Sequence, residues 1–324
     1  MKLKINFPFH LFTSSVFWFI CLLLTQANLY AQDSTTVAEE LTSPPKVKPV
    51  KNTFRSVWII DNQTVMVPIK GSFEMDIMHR FGTVKNGYAD FWGFFAPSNM
   101  RLGASYAPIN NLFLGFGITK DHMLWDGSAK YSILKQTNGK YPVSISYYGN
   151  MGMDTRKDPD NSIFRHASDR ISSFNQLIIA RKVNENFSVQ IAPSVSHQNS
   201  VNSFYTKNDS TGTEIFREMK FDHFAMAVSG RYKISEVTCI IVNYDQPLTK
   251  HPTNNPNPNL SFGFEFASSG HAFQLFMGNY SMLSPQRNNL YNKNSPLDYT
   301  AADGTKVKGG QFVIGFNVTR LWNW

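Results

Sequence analysis

Cysteine, charge and long apolar runs are all scarce in this sequence. Cysteine occurs only at Cys21 and Cys239 in 324 residues, too few for a disulfide framework. Asp, Glu, Lys and Arg make up 17% of the chain, against about 25% in an average globular protein. Past residue 31 no apolar run approaches the roughly 20 residues that a membrane helix needs, which excludes a helical membrane bundle. The formal charge of +8 is spread along the chain without a Lys/Arg cluster, so nucleic-acid binding is not expected. A disordered chain would be poor in aromatics, and here Phe, Trp and Tyr reach 14%. What is abundant is Phe, 27 residues, together with 13 Tyr and 20 Gly. That mix favours strands and tight turns over helices.

Residues 1–31 read as a secretory signal peptide. Lys2 and Lys4 form a basic start, residues 16–24 are apolar, and Leu29-Tyr30-Ala31 offers a small-residue cleavage site before Gln32. Cys21 follows the bulky Ile20 inside the apolar run, which disfavours a lipid-attachment cysteine. Removing this leader takes away two lysines and no acids, lowering the net charge from +8 to +6 and leaving Cys239 alone. Residues 32–51 are polar and rich in Pro and Lys, as a flexible linker is. Residues 52–70 carry Val57-Trp58-Ile59-Ile60 and Val65-Met66 on either side of Asp61-Asn62-Gln63. This segment suits a small hairpin, an extra strand pair or a plug entering a lumen.

From residue 71 to 324 one pattern recurs: about ten residues alternate apolar with polar or small, the period-two signature of a strand. Phe73, Met75 and Ile77 oppose Glu74, Asp76 and Arg80; Met100, Leu102, Ala104 and Tyr106 oppose Arg101, Gly103 and Ser105. Leu112, Leu114, Phe116 and Ile118 oppose Phe113, Gly115 and Gly117; Leu260, Phe262, Phe264 and Phe266 oppose Ser261, Gly263 and Glu265. Near the C-terminus Phe312, Ile314, Phe316 and Val318 oppose Val313, Gly315, Asn317 and Thr319. Less regular segments at 128–135, 142–152, 174–182, 187–197, 221–233, 237–246 and 271–280 bring the count to about twelve. Two of them, 174–182 and 237–246, are apolar on both faces, so alternation does not assign their facing.

The connections are sorted by parity. Those at 108–110, 136–141, 183–186, 234–236 and 268–270 are short; those at 82–98, 120–127, 153–173, 198–220, 247–258 and 281–308 are, with one exception, long. A secreted β-sandwich accounts for the alternation and the leader but has no reason to sort its loops. An outer-membrane barrel does, with tight periplasmic turns at one rim and long surface loops at the other. The expected fold is therefore all-β: a transmembrane, antiparallel, up-and-down β-barrel of about twelve strands with both termini periplasmic. Trp322 and Trp324 share the parity of Phe316 and Val318 and suit an interfacial girdle. Arg320 interrupts that face near the rim, where its stem can snorkel.

Several strings carry a family likeness: Asn52-Thr53-Phe54, His79-Arg80-Phe81-Gly82, Phe91-Trp92-Gly93, Arg101-Leu102-Gly103, and Asp126-Gly127 followed by Lys130-Tyr131 and Leu134-Lys135-Gln136. The chain resembles an outer-membrane β-barrel family of Bacteroidota, domain of unknown function 5777. The likeness covers most of the mature chain and is specific mainly within 52–136. It implies a location and a fold and contributes no catalytic residue.

The candidate lumen-lining residues are Glu74, Asp76, Arg80, Arg101, Lys130, Arg231 and Glu265, all on inner-face parity. They could tune which solute passes, or pair with one another across a filled interior; opposite signs should pair in either case. Twelve strands lie between small filled barrels and open 16-strand porins, so a wide pore is not expected.

An enzymatic alternative exists, because twelve-stranded outer-membrane phospholipases place Ser, His and Asn at the barrel wall. His166-Ala167-Ser168 has the His-x-Ser spacing, with Asn150 and Asn161 nearby. It falls in a long polar loop where nothing holds nucleophile and base in register, so catalysis is not expected. The mature histidines are scattered without the spacing of common zinc motifs, and no phosphate-binding loop is present; no metal or cofactor is implied. Loops 198–220 and 281–308 are polar, as recognition or shielding loops are, whereas 82–98 is crowded with Tyr88, Phe91, Trp92, Phe94 and Phe95. That loop would dock at the lipid interface or fold inward as a constriction. The expected role is a non-enzymatic channel or structural barrel in a bacterial outer membrane. Its partners would be outer-membrane lipids and small solutes. A barrel-wall lipid hydrolase and a surface-loop binding module are the alternatives.

Overall fold

The computed structural model describes residues 48–207, 211–212, 214–300 and 304–323. The expected signal peptide, most of the expected linker and Trp324 lie outside the described residues.

Two short strands come first, β1 (Trp58–Ile59) and β2 (Asn62–Gln63), forming a hairpin of their own. They are followed by β3 (Phe73–Thr83), β4 (Asn99–Ile109), β5 (Leu112–Thr119), β6 (Leu124–Leu134), β7 (Ser144–Asp154), β8 (Ile171–Lys182) and β9 (Phe187–Gln198). A loop hairpin of β10 (Ser203–Lys207) and β11 (Glu214–Glu218) precedes β12 (Asp222–Lys233), β13 (Thr238–Pro247), β14 (Asn259–Ala267) and β15 (His271–Gly278). Helix α1 (Pro285–Tyr291) and a two-residue pair, β16 (Tyr299–Thr300) with β17 (Lys306–Val307), lead to β18 (Val313–Trp322).

Twelve of these strands, β3 to β9, β12 to β15 and β18, close into an antiparallel barrel among the described residues. β18 pairs with β3 (Val318 opposite Ile77), and β9 pairs with β12 across the loop hairpin (Ala192 opposite Ala227). All twelve expected segments are strands. Closure satisfies every edge internally, which a sheet in lipid requires. β6 begins at Leu124 rather than near 128, because the preceding connection is a tight turn with His122 at φ 61°. The hairpin inside loop 198–220 was not legible as strand.

Alternation places the side chains as read. Met75, Ile77, Leu102, Leu114, Phe116, Phe262, Phe264 and Leu275 are exposed on the outer wall, while Glu74, Asp76, Arg101 and Glu265 are buried. The two unassigned segments are settled by what fills the barrel. Phe174 and Ile178 of β8 and Ile241 of β13 point inward and pack with Phe54, Ile59, Ile60 and Val65 of the N-terminal segment. A ladder of rings runs along the outer wall through Phe266, Phe273, Phe316 and Phe81. Phe94 of the aromatic loop packs on Phe81 at 4.2 Å, so this loop joins the outer wall instead of turning into the lumen. Trp322 contacts Phe73 at the short-turn rim, and the Arg320 guanidinium lies 4.9 Å from the Trp322 ring.

Candidate functional site

The barrel interior is the candidate site, and two segments of the chain itself occupy it. The first is the N-terminal segment. Val50 N–H donates to the Gln136 carbonyl at the short-turn rim, Gly71 N–H donates to the Ala107 carbonyl where the chain returns, and Ser72 bonds Asn323 beside the C-terminus. Between these anchors residues 53–67 run inside the barrel, and β1 and β2 turn at Ile60 and Asp61.

Five wall side chains bond to this segment's backbone. Lys130 donates to the Thr64 carbonyl at 3.2 Å, Ser146 to Val65 at 3.1 Å, Gln190 to Gln63 at 2.7 Å, Gln274 to Trp58 at 2.8 Å and Asn317 to Ile60 at 2.7 Å. Its two-residue strands leave backbone groups that no sheet partner satisfies, so wall side chains must do so. Side chains complete the docking. Asn62 donates to Asn243 and Asp245, each at 2.9 Å, and accepts from Gln176; Ser56 donates to Glu265 at 2.7 Å.

The second occupant comes from the opposite rim. In the connection between β15 and β18, Leu283 and Leu290 are buried; Leu283 belongs to an apolar cluster with Trp58 and Met78. Gln286 of α1 donates to Asn150 at 3.0 Å, and Asn292 donates to Asn259 at 2.8 Å. The space left where the two segments meet, lined by Trp58, Asp61, Arg101, Tyr148 and Leu283, is about 10 Å³. That is room for about one water molecule.

All seven sequence-derived lumen residues face inward and are buried, but they make separate local contacts instead of one ring. Arg101 is bridged by Asp76 at 2.6 Å and Asp126 at 2.9 Å. Arg80 pairs with Asp61 of the N-terminal segment at 2.7 Å and lies 4.4 Å from the Phe276 ring centroid. Arg231 approaches Glu265 at 3.6 Å. Lys130 Nζ bonds Gln63 at 2.8 Å, and Glu74 Oε1 has no hydrogen-bond partner among the described residues. The partners Asp61, Asp126, Asn243 and Asp245 went unread. Asp126 sits ahead of the expected strand start, Asn243 and Asp245 sit on a strand without readable facing, and Asp61 sits on a segment whose placement stood open.

His166-Ala167-Ser168 forms a turn in the 155–170 loop. The Asp169 carboxylate accepts from the backbone N–H groups of Arg165 and His166, and the His166 side chain is largely exposed. The Ser168 carbonyl is bonded by Asn199. These contacts hold a turn and do not orient a hydroxyl toward an imidazole, as a nucleophile and its base require.

A family model described as "Membrane bound beta barrel domain (DUF5777)" matches residues 54–322. No curated protein matches the sequence. Among solved structures, the NanC porin aligns with a TM-score of 0.42 and 7% identity, over 78% of this chain and 99% of that one. An outer membrane channel from Pseudomonas putida F1 aligns at 0.41 and 11%, over 79% and 97%. The toluene transporter TodX of Pseudomonas putida aligns at 0.33 and 8%, over 79% and 90%.

Proposed function

This chain belongs to the membrane bound beta barrel domain family (DUF5777) and is an outer-membrane β-barrel, and from that premise we propose that it is a non-enzymatic channel for small polar solutes, closed at rest by its own N-terminal segment and by the loop bearing α1. The short-turn rim, with both termini, faces the periplasm, and lipids of a Bacteroidota outer membrane surround the wall.

One observation carries the reading: the inner wall holds the N-terminal segment largely through flexible polar side chains. Lys130, Ser146, Gln190, Gln274 and Asn317 bond carbonyls that belong to the segment. Exchanging such bonds for bonds to water changes free energy by only about 0.5–1.5 kcal/mol each, so the wall tolerates hydration once the segment leaves. The apolar contacts of Phe54, Ile59, Ile60 and Val65 oppose release, since burying each such side chain is worth about 1.5–3 kcal/mol. The balance is a lumen shut at rest with a polar wall beneath.

Planar-bilayer recording tests this. The mature protein is expected to be mostly silent. A double variant, Asp61→Ala with Asn62→Ala, loses the Arg80 pair and the bonds to Asn243, Asp245 and Gln176, and its open time should rise at least tenfold. A large steady conductance in the parent would overturn closure at rest. Silence in both proteins, with both folded by heat-dependent gel mobility, would leave a purely structural barrel.

A further inference from the structure

We propose that a cavity over the long-loop mouth of the lumen binds a small organic anion, a sugar-sized molecule bearing a carboxylate or a phosphate. The cavity measures about 340 Å³, within the usual range for small-molecule sites. It lies between loop 155–170, the long-loop ends of β7 to β9, and α1 with the residues that follow it.

Its charge is unbalanced. Arg156, Arg170, Arg287 and Lys293 line it against only two carboxylates, Asp154 and Asp169. Both carboxylates are already engaged. Asp154 is held by Arg156 (Nη2 at 2.8 Å) and by His122, and Asp169 accepts from two backbone N–H groups. Asp121, just outside the lining, takes Arg287 at 3.2 Å, so the four cations exceed the carboxylates within reach by one.

The guanidinium groups are fixed in place before any ligand arrives. Arg170 lies 4.3 Å from the Phe164 centroid and donates from Nη1 to the carbonyls of Asp154 and Arg156. Arg156 lies on the same ring at 5.9 Å, and Arg287 lies 5.2 Å from Tyr291 while bonding Asp121. Planar, aromatic-backed guanidiniums suit the paired oxygens of a carboxylate or phosphate, and fixing them beforehand removes part of the ordering cost of binding. A second, independent sign is Gln198: it lines the cavity, is only 7% exposed, and its Nε2 has no hydrogen-bond partner among the described residues. A buried donor left unpaired is costly, and a ligand oxygen in the cavity would satisfy it.

The site bears on the channel reading and rests on it for passage alone. Ser172 of the cavity accepts a bond from Gln286 of α1, the helix that fills the upper lumen. An anion held by Arg287 would therefore sit against the segment that closes the barrel.

Calorimetric titration of the folded, detergent-solubilised mature protein at low salt tests binding without a membrane. Glucose, glucuronate and glucose 6-phosphate share a ring and differ at one carbon. Saturable binding of either anion at least tenfold tighter than glucose supports the site, and binding of one alone assigns carboxylate or phosphate. Arg287→Gln should weaken it at least tenfold at unchanged heat-dependent mobility, whereas Lys85→Gln on the neighbouring loop should leave it intact. Equal affinity for glucose, or no saturable binding of either anion, would overturn the proposal. A silent bilayer record with intact binding would remove the channel and keep the site; conduction without binding would do the reverse.

Discussion

Arg101 shows how the charged half of the interior is built. Its guanidinium spans Asp76 on the neighbouring strand and Asp126 two strands away, and all three side chains are nearly inaccessible. Two glycines make room for it. A Cβ at Gly117 would stand 2.1 Å from Arg101 Nη2, and one at Gly103 would stand 2.1 Å from Asp76 Oδ2. The inner-face glycines thus relieve crowding around a bulky ion pair. Removing one partner of a buried pair leaves an uncompensated charge and costs about 3–5 kcal/mol. Arg101→Met should therefore lower unfolding stability by about that amount in a urea titration of the liposome-reconstituted protein. Adding Asp76→Asn and Asp126→Asn to it should recover most of the loss, because no charge then remains unpaired; equal instability of the single and triple variants would show that packing, not charge, is at stake. Asp76 and Arg101 were legible from alternation. Asp126 was not, since a residue that opens a strand directly after a tight turn has no preceding alternation to place it.

At the scale of elements, the loop from 248 to 258 is tied to β12 by a stacked histidine pair. His251 Nδ1 accepts from the Lys220 backbone N–H at 3.0 Å, so its Nε2 carries the proton that bonds His223 Nδ1 at 2.9 Å. Protonating either ring sets one N–H against another. Burial, with Lys220 and Lys293 nearby, holds the His251 pKa below its ordinary value. A base lowered in the folded state binds fewer protons there than in the unfolded chain, so stability rises with pH through this window. The tie should be intact above the ordinary histidine range, about pH 6.5, and loosen as pH falls below it. Hydrogen exchange at the Lys220 and Phe224 amides should accelerate on acidification in the parent and become pH-independent, beyond the intrinsic rate, in His251→Ala; unchanged protection at low pH would refute the tie. No sequence rule pairs two histidines 28 positions apart. The same limit applied to β8 and β13, whose facing was decided by the apolar residues of the N-terminal segment packed on Phe174, Ile178 and Ile241.

For the molecule as a whole, the wall separates two solvents, and each strand changes solvent at every residue. Leu275 lies mid-strand on the outer face, opposite Phe264 and Phe316 on its two neighbours, while Ile109 lies outward at a short-turn end. A charge on the lipid face costs about 2–4 kcal/mol at the bilayer midplane and about 0–1 kcal/mol near the interface. Leu275→Arg should therefore destabilise the folded barrel several-fold more than Ile109→Arg in the same liposome unfolding measurement. Equal penalties would mean that the two positions see the same solvent.

About twelve strands, the inner and outer faces of all but β8 and β13, and the parity of long and short connections were determined by the sequence alone. Each is a local property: period-two alternation records which solvent a side chain meets, and loop length is counted directly. What only the tertiary structure decided is that the interior is filled, that Arg80 has its partner on residues 53–67, and that loop arginines gather around one cavity beside α1. These depend on contacts between positions far apart in the chain, where neither periodicity nor spacing carries information, and the pairing of Arg80 is set by which segment enters the lumen.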